Sequence, residues 1–230
     1  MARGSHGSSG GAAETRLIEV EDVGRTFGGR EVVAGISLAI AEDETVALMG
    51  PSGCGKTTLM QMIGLLDRPD RGTVRLDGVD TWTQDQATRA ELRLTRIGFV
   101  FQHSNLLGHL SARENVALPA WRAGGDRSAA LTRADELLAK VGLTARAHGQ
   151  ASELSIGEAQ RVAVVRAMVN RPCLILADEP TGSLDADSTT GVLALLLAAE
   201  GAAVLIVTHD PEVAARASRT LRMRDGKLVP

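Results

Sequence analysis

The stretch Gly50-Pro51-Ser52-Gly53-Cys54-Gly55-Lys56-Thr57-Thr58 follows the apolar run Thr45-Val46-Ala47-Leu48-Met49 and precedes a run that suits a helix, Leu59-Met60-Gln61-Met62-Ile63. It fits the pattern G-x-x-x-x-G-K-[ST], in which a strand leads into a phosphate-binding loop and a helix follows. Its glycines let the backbone curl so that successive N–H groups form a nest for anionic oxygens. Gly50 and Ser52–Thr58 are therefore candidate ligands of a nucleotide triphosphate.

Two side chains of this loop carry charge and oxygen to the nucleotide. Lys56 is expected to reach the β- and γ-phosphates, and Thr57 offers a hydroxyl as one hard oxygen ligand of Mg²⁺. The alternative is a glycine-rich turn that matches the pattern by chance. It is disfavoured because the strand before the loop and the helix after it are both present in the sequence.

Composition limits the kinds of protein this chain can be. Its 230 residues include 25 basic and 28 acidic side chains, a formal net charge of −3, with no basic block. Nothing in this balance predicts binding to nucleic acid. The chain has the size of one domain, which we expect to have two lobes. Cys54 and Cys173 cannot form a disulfide framework and are typical of reduced, intracellular thiols.

The N-terminal residues and the apolar segments indicate neither secretion nor membrane insertion. Residues 1–14 are small and polar, lack the apolar stretch of a signal peptide, and are predicted to be a flexible leader of the kind added for expression. No segment approaches the roughly 18 to 20 apolar residues of a membrane helix. The folded part is predicted to be residues 15–230.

The order of elements predicts an α/β fold. Alternating stretches within residues 15–40, separated by a turn-rich segment Gly24–Arg30, indicate an antiparallel β lobe, to which residues 72–78 add a strand. Residues 103–169 show helix-like segments and hardly any strand signal, which predicts an inserted helical lobe. The apolar run Cys173–Ala177 suits a parallel strand buried on both faces, so the core sheet is predicted to be mostly parallel.

Polar residues at the ends of three predicted strands complete the candidate site. Asp178-Glu179 follows an apolar strand, and such a pair can divide the work of orienting Mg²⁺ and polarising an attacking water. His209 follows the strand Val204–Val207 and could hydrogen-bond both a γ-phosphate oxygen and Glu179. Gln102 ends the short strand before the helical lobe, where it can reach the same crevice. A solvated acidic turn and a structural histidine are the alternatives.

The segment Glu153-Leu154-Ser155-Ile156-Gly157-Glu158-Ala159-Gln160-Arg161 has no purpose inside a single phosphate site. It resembles the signature motif of the ATP-binding-cassette (ABC) ATPases, and the other motifs occur in that family's order over about residues 16–229. The resemblance implies a P-loop NTPase cassette that hydrolyses ATP with Mg²⁺ and works as a homodimer or pseudo-dimer.

The resemblance also implies a role for each matching residue. Phe27 becomes the aromatic side chain that stacks on adenine, and Gln102 a switch residue that touches Mg²⁺ and the membrane partner. Asp178 orients the metal. The catalytic residues are Lys56 with the phosphates, Glu179 as the carboxylate and His209 as the γ-phosphate switch. The resemblance makes Ser183–Asp185 a loop that crosses the dimer interface. It also implies that three residues act on the nucleotide of the other subunit: Ser155, Gly157 and Glu158.

Two positions depart from the usual pattern of the family. Ile156 stands where the signature usually has its first glycine, and Glu158 where it usually has glutamine. A β-branched residue at a helix N-terminus that must approach a phosphate is expected to hinder that approach and slow hydrolysis. Phe27 replaces the more usual tyrosine, which keeps the aromatic face and loses a hydroxyl. Ile156 therefore predicts a reduced turnover.

Further segments narrow the resemblance to ATPases of the lipoprotein-releasing and macrolide-export type: Gly64–Pro69, Asn105–Leu107 and Glu114–Pro119. The implied partners are integral membrane permease subunits of the FtsX/MacB-like type, at the cytoplasmic face of the cell membrane. Two other functions stay open. One is a soluble ABC ATPase of repair or translation, which would usually carry coiled-coil insertions or a second cassette; the other is an ATP-gated regulatory module of low turnover.

Overall fold

The computed structural model describes residues 16–230, so the predicted leader lies outside the described residues. A four-stranded antiparallel sheet has the order β2-β1-β4-β5. Its strands are β1 (Arg16–Phe27), β2 (Arg30–Ala41), β4 (Arg71–Leu76) and β5 (Val79–Asp80). Their inward side chains, Ile18, Val20, Ile36 and Ile40 among them, are almost completely buried. The antiparallel lobe predicted from the alternating pattern is present.

The second sheet has six strands in the order β10-β9-β3-β8-β7-β6. They are β3 (Thr45–Met49), β6 (Ile97–Val100), β7 (Leu174–Asp178), β8 (Ala203–Thr208), β9 (Arg219–Arg224) and β10 (Lys227–Val229). All neighbouring pairs are parallel except β9 with β10. The apolar runs of β3, β7 and β8 are buried, as expected for central parallel strands. Their carboxyl ends therefore meet at one edge of the sheet.

Across the described residues 16–230, seven α-helices surround and extend the sheets. They are α1 (Lys56–Ile63), α2 (Gln86–Arg96), α3 (Ala112–Arg122), α4 (Arg127–Lys140), α5 (Ile156–Met168), α6 (Ala186–Leu197) and α7 (Pro211–Ala214). Short 3₁₀ turns lie at Thr144–Arg146 and Ala151–Glu153. Within residues 16–230, no helix combines the length and the apolar character that crossing a bilayer requires.

Helices α3, α4 and α5 pack around an apolar core of their own. This core contains Val116, Ala134, Leu138 and Val162, all with no exposed surface, and is distinct from the two cores that cover the large sheet. The predicted helix-like segments of residues 103–169 correspond to these three helices. Capping boxes at Ser111 and Ser155 start α3 and α5, each satisfying two otherwise unpaired N–H groups.

The sequence-based expectation was wrong in two places. The segment Gly24–Arg30 is not turn-rich throughout: β1 continues to Phe27, and only Gly28-Gly29, both at positive φ, form the turn. The hairpin β9–β10 was not predicted. Its first strand alternates arginine with half-buried Leu221 and buried Met223, a polar pattern that suits a strand near the edge of a sheet and carries little hydrophobic signal.

Candidate active site

The loop between β3 and α1 has the backbone of a phosphate nest. Gly53 and Gly55 have φ angles of 76° and 106°, which only glycine adopts readily. A Cβ at Gly55 would lie 2.4 Å from the Val32 carbonyl oxygen, so β2 closes one side of the loop. Among the described residues, no side chain caps the N-terminus of α1. Its first N–H groups are left for an anion, which fits the phosphates of a nucleotide.

Lys56 lies inside this loop with 7% of its surface exposed. Its ammonium group donates to the carbonyl oxygens of Gly50, at 2.7 Å, and Pro51, at 3.1 Å. These bonds hold the Nζ atom at the mouth of the nest. Because the stem is flexible and the partners are neutral, the ammonium can exchange them for phosphate oxygens, with which its hydrogen bonds are stronger.

Thr57 and Asp178 meet where the loop passes the end of β7. The Thr57 hydroxyl donates to Asp178 Oδ2 at 2.9 Å, whereas the buried Oδ1 atom has no hydrogen-bond partner. Burial is the main cause that raises the pKa of Asp178 above its usual value. The Thr57 hydrogen bond opposes this effect and the charge of Glu179 adds to it. A buried carboxylate oxygen without a partner beside a hydroxyl is the donor set of a hard divalent cation.

Glu179 and His209 form the second pair at this edge of the sheet. His209 Nδ1 and Glu179 Oε1 are 2.9 Å apart, and the histidine side chain is 67% exposed whereas that of Glu179 is only 18% exposed. The Glu179 N–H donates to the Val207 carbonyl at 2.9 Å. Its φ of 45° lies in the left-handed region. The strained backbone of Glu179 thus fixes where its carboxylate enters the crevice.

Gln102 lies on the loop between β6 and α3, exposed to solvent. Its Nε2 would be 3.3 Å from a Cβ at Gly182, so the amide borders the segment that follows Glu179. Two side chains of α5 hold this loop: Gln160 Nε2 donates to the Phe101 carbonyl, and Arg166 donates to those of Ser104 and Asn105. Sequence reasoning missed both anchors, since a polar side chain on a helix does not reveal a partner some 60 residues away.

Phe27 lies at the end of β1, with 47% of its surface exposed. In the β1–β2 hairpin it pairs with Arg30, two residues before the Val32 carbonyl that borders Gly55. The backbone of Phe27 therefore pairs with the strand that borders the phosphate loop. The Arg25 guanidinium carbon lies 4.7 Å from the centroid of the ring.

The signature residues lie at the start of α5, in the helical lobe. The Ser155 hydroxyl accepts from the Glu158 N–H at 3.2 Å, and the Glu158 carboxylate accepts from the Ser155 N–H at 2.9 Å and from Arg146 at 3.1 Å. The Ser155 N–H and then Arg146 hold the pKa of Glu158 below its usual range. These hydrogen bonds stay within the lobe, so the structure does not bring Ser155 or Glu158 to the phosphate loop of the same chain.

Two neighbours of Ser155 differ sharply in their surroundings. Ile156 is 67% exposed and packs against nothing in the core. Gly157 is tightly enclosed: a Cβ there would lie 2.6 Å from Ser188 Oγ, on the first turn of α6. Ser188 itself bonds to Asp185, the N-cap of α6. The glycine at 157 thus lets α5 approach the Ser188 hydroxyl on α6 closely.

The position of Cys54 in the motif, among the N–H groups of the nest and next to Lys56, predicts a reactive thiolate. This prediction is wrong, because the Cys54 side chain does not lie in the phosphate nest. Only 6% of Cys54 is exposed, and it belongs to the apolar core beneath the loop together with Met223. Its Sγ would lie 2.8 Å from a Cβ at Gly50. Any contribution of Cys54 to phosphate binding comes from its backbone.

The fold and the site define a P-loop nucleoside triphosphatase. Its helical lobe is inserted in the sequence between the phosphate loop after β3 and the Asp178-Glu179 pair at the end of β7. The ABC transporter family model matches residues 33–182, and the chain belongs to this family. It is an ATP-binding subunit of the ABC transporter class, with ATPase activity. The α/β cassette predicted from the sequence is confirmed.

Two relatives of known class match nearly the whole chain. The lipoprotein-releasing system ATP-binding protein LolD of Porphyromonas gingivalis is 46% identical over 215 residues, which are 92% of this chain and 98% of that protein. The macrolide export ATP-binding/permease protein MacB of Escherichia coli K12 is 46% identical over 221 residues, 94% of this chain. The chain spans only 34% of the length of MacB.

A solved structure shows the same cassette. The ATP-binding cassette MJ0796, as a dimer in a post-hydrolysis state with ADP and Pi, superimposes with a TM-score of 0.85 and 35% identity, covering 93% of this chain and 97% of that one. The identities to LolD and MacB confirm the predicted similarity to the lipoprotein-release and macrolide-export ATPases.

Proposed function

We propose that this chain binds Mg-ATP between two cassettes, hydrolyses it with Glu179 and His209, and thereby drives membrane permease subunits of the FtsX/MacB-like type. The observation that carries the proposal is the convergence of two side-chain pairs at one sheet edge. Thr57 with Asp178, and Glu179 with His209, flank the mouth of the phosphate loop. The alternatives, a solvated acidic turn and a structural histidine, do not account for both pairs.

Mg²⁺ fits the donor set beside the loop. Thr57 Oγ1 and the partnerless Oδ1 of Asp178 are hard oxygen ligands, and Gln102 is close enough to the adjoining segment to add an amide oxygen. Within residues 16–230, no cluster of three or more His, Cys, Asp or Glu side chains could hold a metal ion by itself. The ion therefore depends on phosphate oxygens and binds together with the nucleotide.

The residues of the chain divide the remaining chemistry. When bound, Mg²⁺ neutralises charge on the phosphates. The nest and Lys56 hold the β- and γ-phosphate oxygens in place, and Glu179 polarises a water for attack on the γ-phosphorus by accepting its hydrogen bond. His209 Nδ1 lies 2.9 Å from Glu179 Oε1, and with a proton on each ring nitrogen the imidazole donates to Glu179 through Nδ1 and to a γ-phosphate oxygen through Nε2. His209 is thus the residue through which loss of the γ-phosphate changes the position of Glu179.

Dimerisation is supported by the position of the signature residues. Ser155 and Gly157 present the start of α5, yet their own chain keeps them apart from its phosphate loop. A second cassette would supply its nucleotide to them, and the similar MJ0796 cassette is a dimer with ADP and Pi bound. In this arrangement Glu158 acts through the helix cap that it shares with Ser155, and Ser183–Asp185 lies between the two subunits.

The membrane partner is inferred from the relatives. The name of MacB joins ATP-binding and permease functions in one protein, and LolD is the ATP-binding protein of a releasing system. We place this chain at the cytoplasmic face of the cell membrane, bound to permease subunits. A soluble repair or translation ATPase is disfavoured, since among residues 16–230 the helical lobe contains three helices of at most 14 residues and no coiled-coil insertion.

The test combines kinetics with cell fractionation. ATP hydrolysis should require Mg²⁺ and should rise with the square of protein concentration at low concentration, because the active species is a dimer. In native cells the chain should sediment with membranes and be released when its permease is deleted. Hydrolysis that is linear in concentration would contradict the dimer. A chain that stays in the soluble fraction throughout would favour the soluble ATPase.

A further inference from the structure

The Phe27 ring carries a cation on one of its faces. The Arg25 guanidinium carbon lies 4.7 Å from the ring centroid, within the range of a cation–π interaction. With 47% of Phe27 exposed, the ring still offers surface to a ligand. Arg25 precedes Phe27 by two residues on β1, and its guanidinium reaches the ring although the register of β1 with β2 shifts between Arg25 and Thr26.

Arg25 itself is fixed by two carboxylates of the turn that follows α1. Its Nε and Nη2 bond to the two oxygens of Asp67 at 3.0 and 2.7 Å, and its Nη1 bonds to Asp70 at 2.6 Å. The second oxygen of Asp70 accepts from the Thr26 N–H at 2.7 Å. The same turn thus holds the guanidinium and the backbone directly before Phe27. Three donors of the fork are used, so the guanidinium plane cannot rotate freely.

This turn is also connected to the phosphate loop. Helix α1 begins with Lys56, and just beyond its end the Asp67 N–H donates to the Gln61 carbonyl at 3.2 Å. Helix α1 therefore has the phosphate nest at its first residue, and the two carboxylates that bind Arg25, those of Asp67 and Asp70, follow its last residue. The distance between the phosphates and the aromatic ring is set by a rigid element rather than by the Gly28-Gly29 turn next to the ring.

We propose that Arg25 is a positioning residue for the nucleotide base: held by Asp67 and Asp70, it orients the Phe27 ring so that a purine stacks on the face opposite the guanidinium. The inference rests on the proposed role of Phe27 in base binding. Arg25 contacts the ring and not the phosphates, so its effect is confined to ligands that carry a base. A cation on one face also draws electron density from the ring, which favours stacking with an electron-rich purine on the other.

The experiment compares two ligands on the purified full chain by calorimetry: ATP, and inorganic tripolyphosphate, which has no base. In Arg25→Ala, ATP should bind about threefold to tenfold more weakly, while tripolyphosphate affinity stays unchanged. The KM for ATP should rise by the same factor with kcat unaltered. Arg25→Lys, which keeps the cation and loses the fork, should recover part of the affinity. Arg89→Ala is the matched control. Arg89 lies on α2, and its guanidinium carbon is 5.1 Å from the centroid of the Trp82 ring, so the change removes a similar cation–π contact elsewhere.

Each outcome decides the matter. Equal loss of ATP and tripolyphosphate affinity would mean that Arg25 only supports the fold, and unchanged ATP affinity would mean that it does not position the base; either overturns the proposal. If Arg25→Ala does not fold, Asp70→Asn weakens the same anchor and should reduce ATP affinity alone. Failure of the proposed function is distinguishable, because wild-type chain would then bind neither ligand, or Phe27→Ala would leave ATP affinity intact.

Discussion

The Thr57 hydroxyl donates a 2.9 Å hydrogen bond to Asp178 across 121 residues of sequence. It connects the loop after β3 with the end of β7, two strands that have β8 between them in the sheet. His209, just beyond the end of β8, faces Glu179 at the same edge. Three strand ends therefore supply one site, and the rigid sheet fixes the relative positions of their side chains.

Replacing Lys56 with alanine should weaken ATP binding by about 2 kcal/mol, roughly thirtyfold, because a charge-assisted phosphate contact is lost. The fold should persist, since the Lys56 ammonium bonds only to two carbonyl oxygens of its own loop. Calorimetry with ATP is the measurement, with the exposed Lys227 changed to alanine as a control. Unchanged affinity in Lys56→Ala would exclude this loop as the phosphate site.

Glu179→Gln should bind ATP with normal affinity and hydrolyse it about a hundredfold or more slowly, since the amide can hydrogen-bond water but cannot accept its proton. Unhydrolysed ATP between two cassettes should then stabilise the dimer. Gel filtration with and without ATP, coupled to light scattering, measures this. A variant that binds ATP normally but stays monomeric would argue against two cassettes sharing the nucleotide.

Gly157→Ala should lower the free energy of unfolding by about 1 to 3 kcal/mol, because its Cβ would meet Ser188 Oγ at 2.6 Å. Ser188→Ala removes that oxygen. In a double-mutant cycle read by urea denaturation, the combined variant should lose less than the sum of the two single changes, by about 0.5 kcal/mol or more. Strict additivity would show that residue 157 and Ser188 do not contact each other.

Cys54→Ala should retain ATP affinity within a factor of about two while lowering stability by about 1 kcal/mol, since the thiol fills the core and only the backbone faces the nest. Thermal unfolding and ATP titration give the two quantities. For the same reason maleimide should modify Cys54 slowly in the folded chain, with or without Mg-ATP. A large loss of ATP affinity in Cys54→Ala would place the thiol at the phosphates instead.

Ile156→Gly should raise the basal ATPase rate, up to tenfold if the branched side chain costs the closed dimer about 1.4 kcal/mol. The 67% exposed side chain makes no core contact, so monomer nucleotide affinity should stay unchanged. Ile156→Ala, which keeps a Cβ and removes the branch, should give an intermediate rate. Equal rates in all three proteins would show that the closed dimer accommodates Ile156, and the low-turnover function would lose its support.

The parts of the fold that could be predicted are those with a strong local signal. The strands β7 and β8 are apolar up to their last residue because both faces are buried, and Gly53 and Gly55 before Lys56 have positive φ angles. Residues at the ends of such strands could be assigned to one edge of the sheet, and in the structure Glu179 Oε1 and His209 Nδ1 lie 2.9 Å apart there.

The parts that could not be predicted depend on partners distant in sequence. Nothing local indicates that Arg25 will bond to Asp67, 42 residues later, or that Arg166 will hold a loop 61 residues earlier. The environment of Cys54 also depends on residues distant in sequence. The motif places its backbone in the nest, whereas the direction of its side chain depends on how β3 and α1 pack over Met223. Side-chain partners are set by tertiary packing, which a motif does not encode.

The φ of 45° at Glu179 has a consequence for protein engineering. A non-glycine residue in this conformation costs of order 1 kcal/mol, so a screen that selects only for heat resistance would favour glycine or asparagine at position 179. Such a screen would enrich variants that fold better and have lost the carboxylate. Laboratory evolution of this cassette toward greater robustness therefore needs a simultaneous selection for turnover, because the position that weakens the fold is also the one that we propose as the catalytic carboxylate.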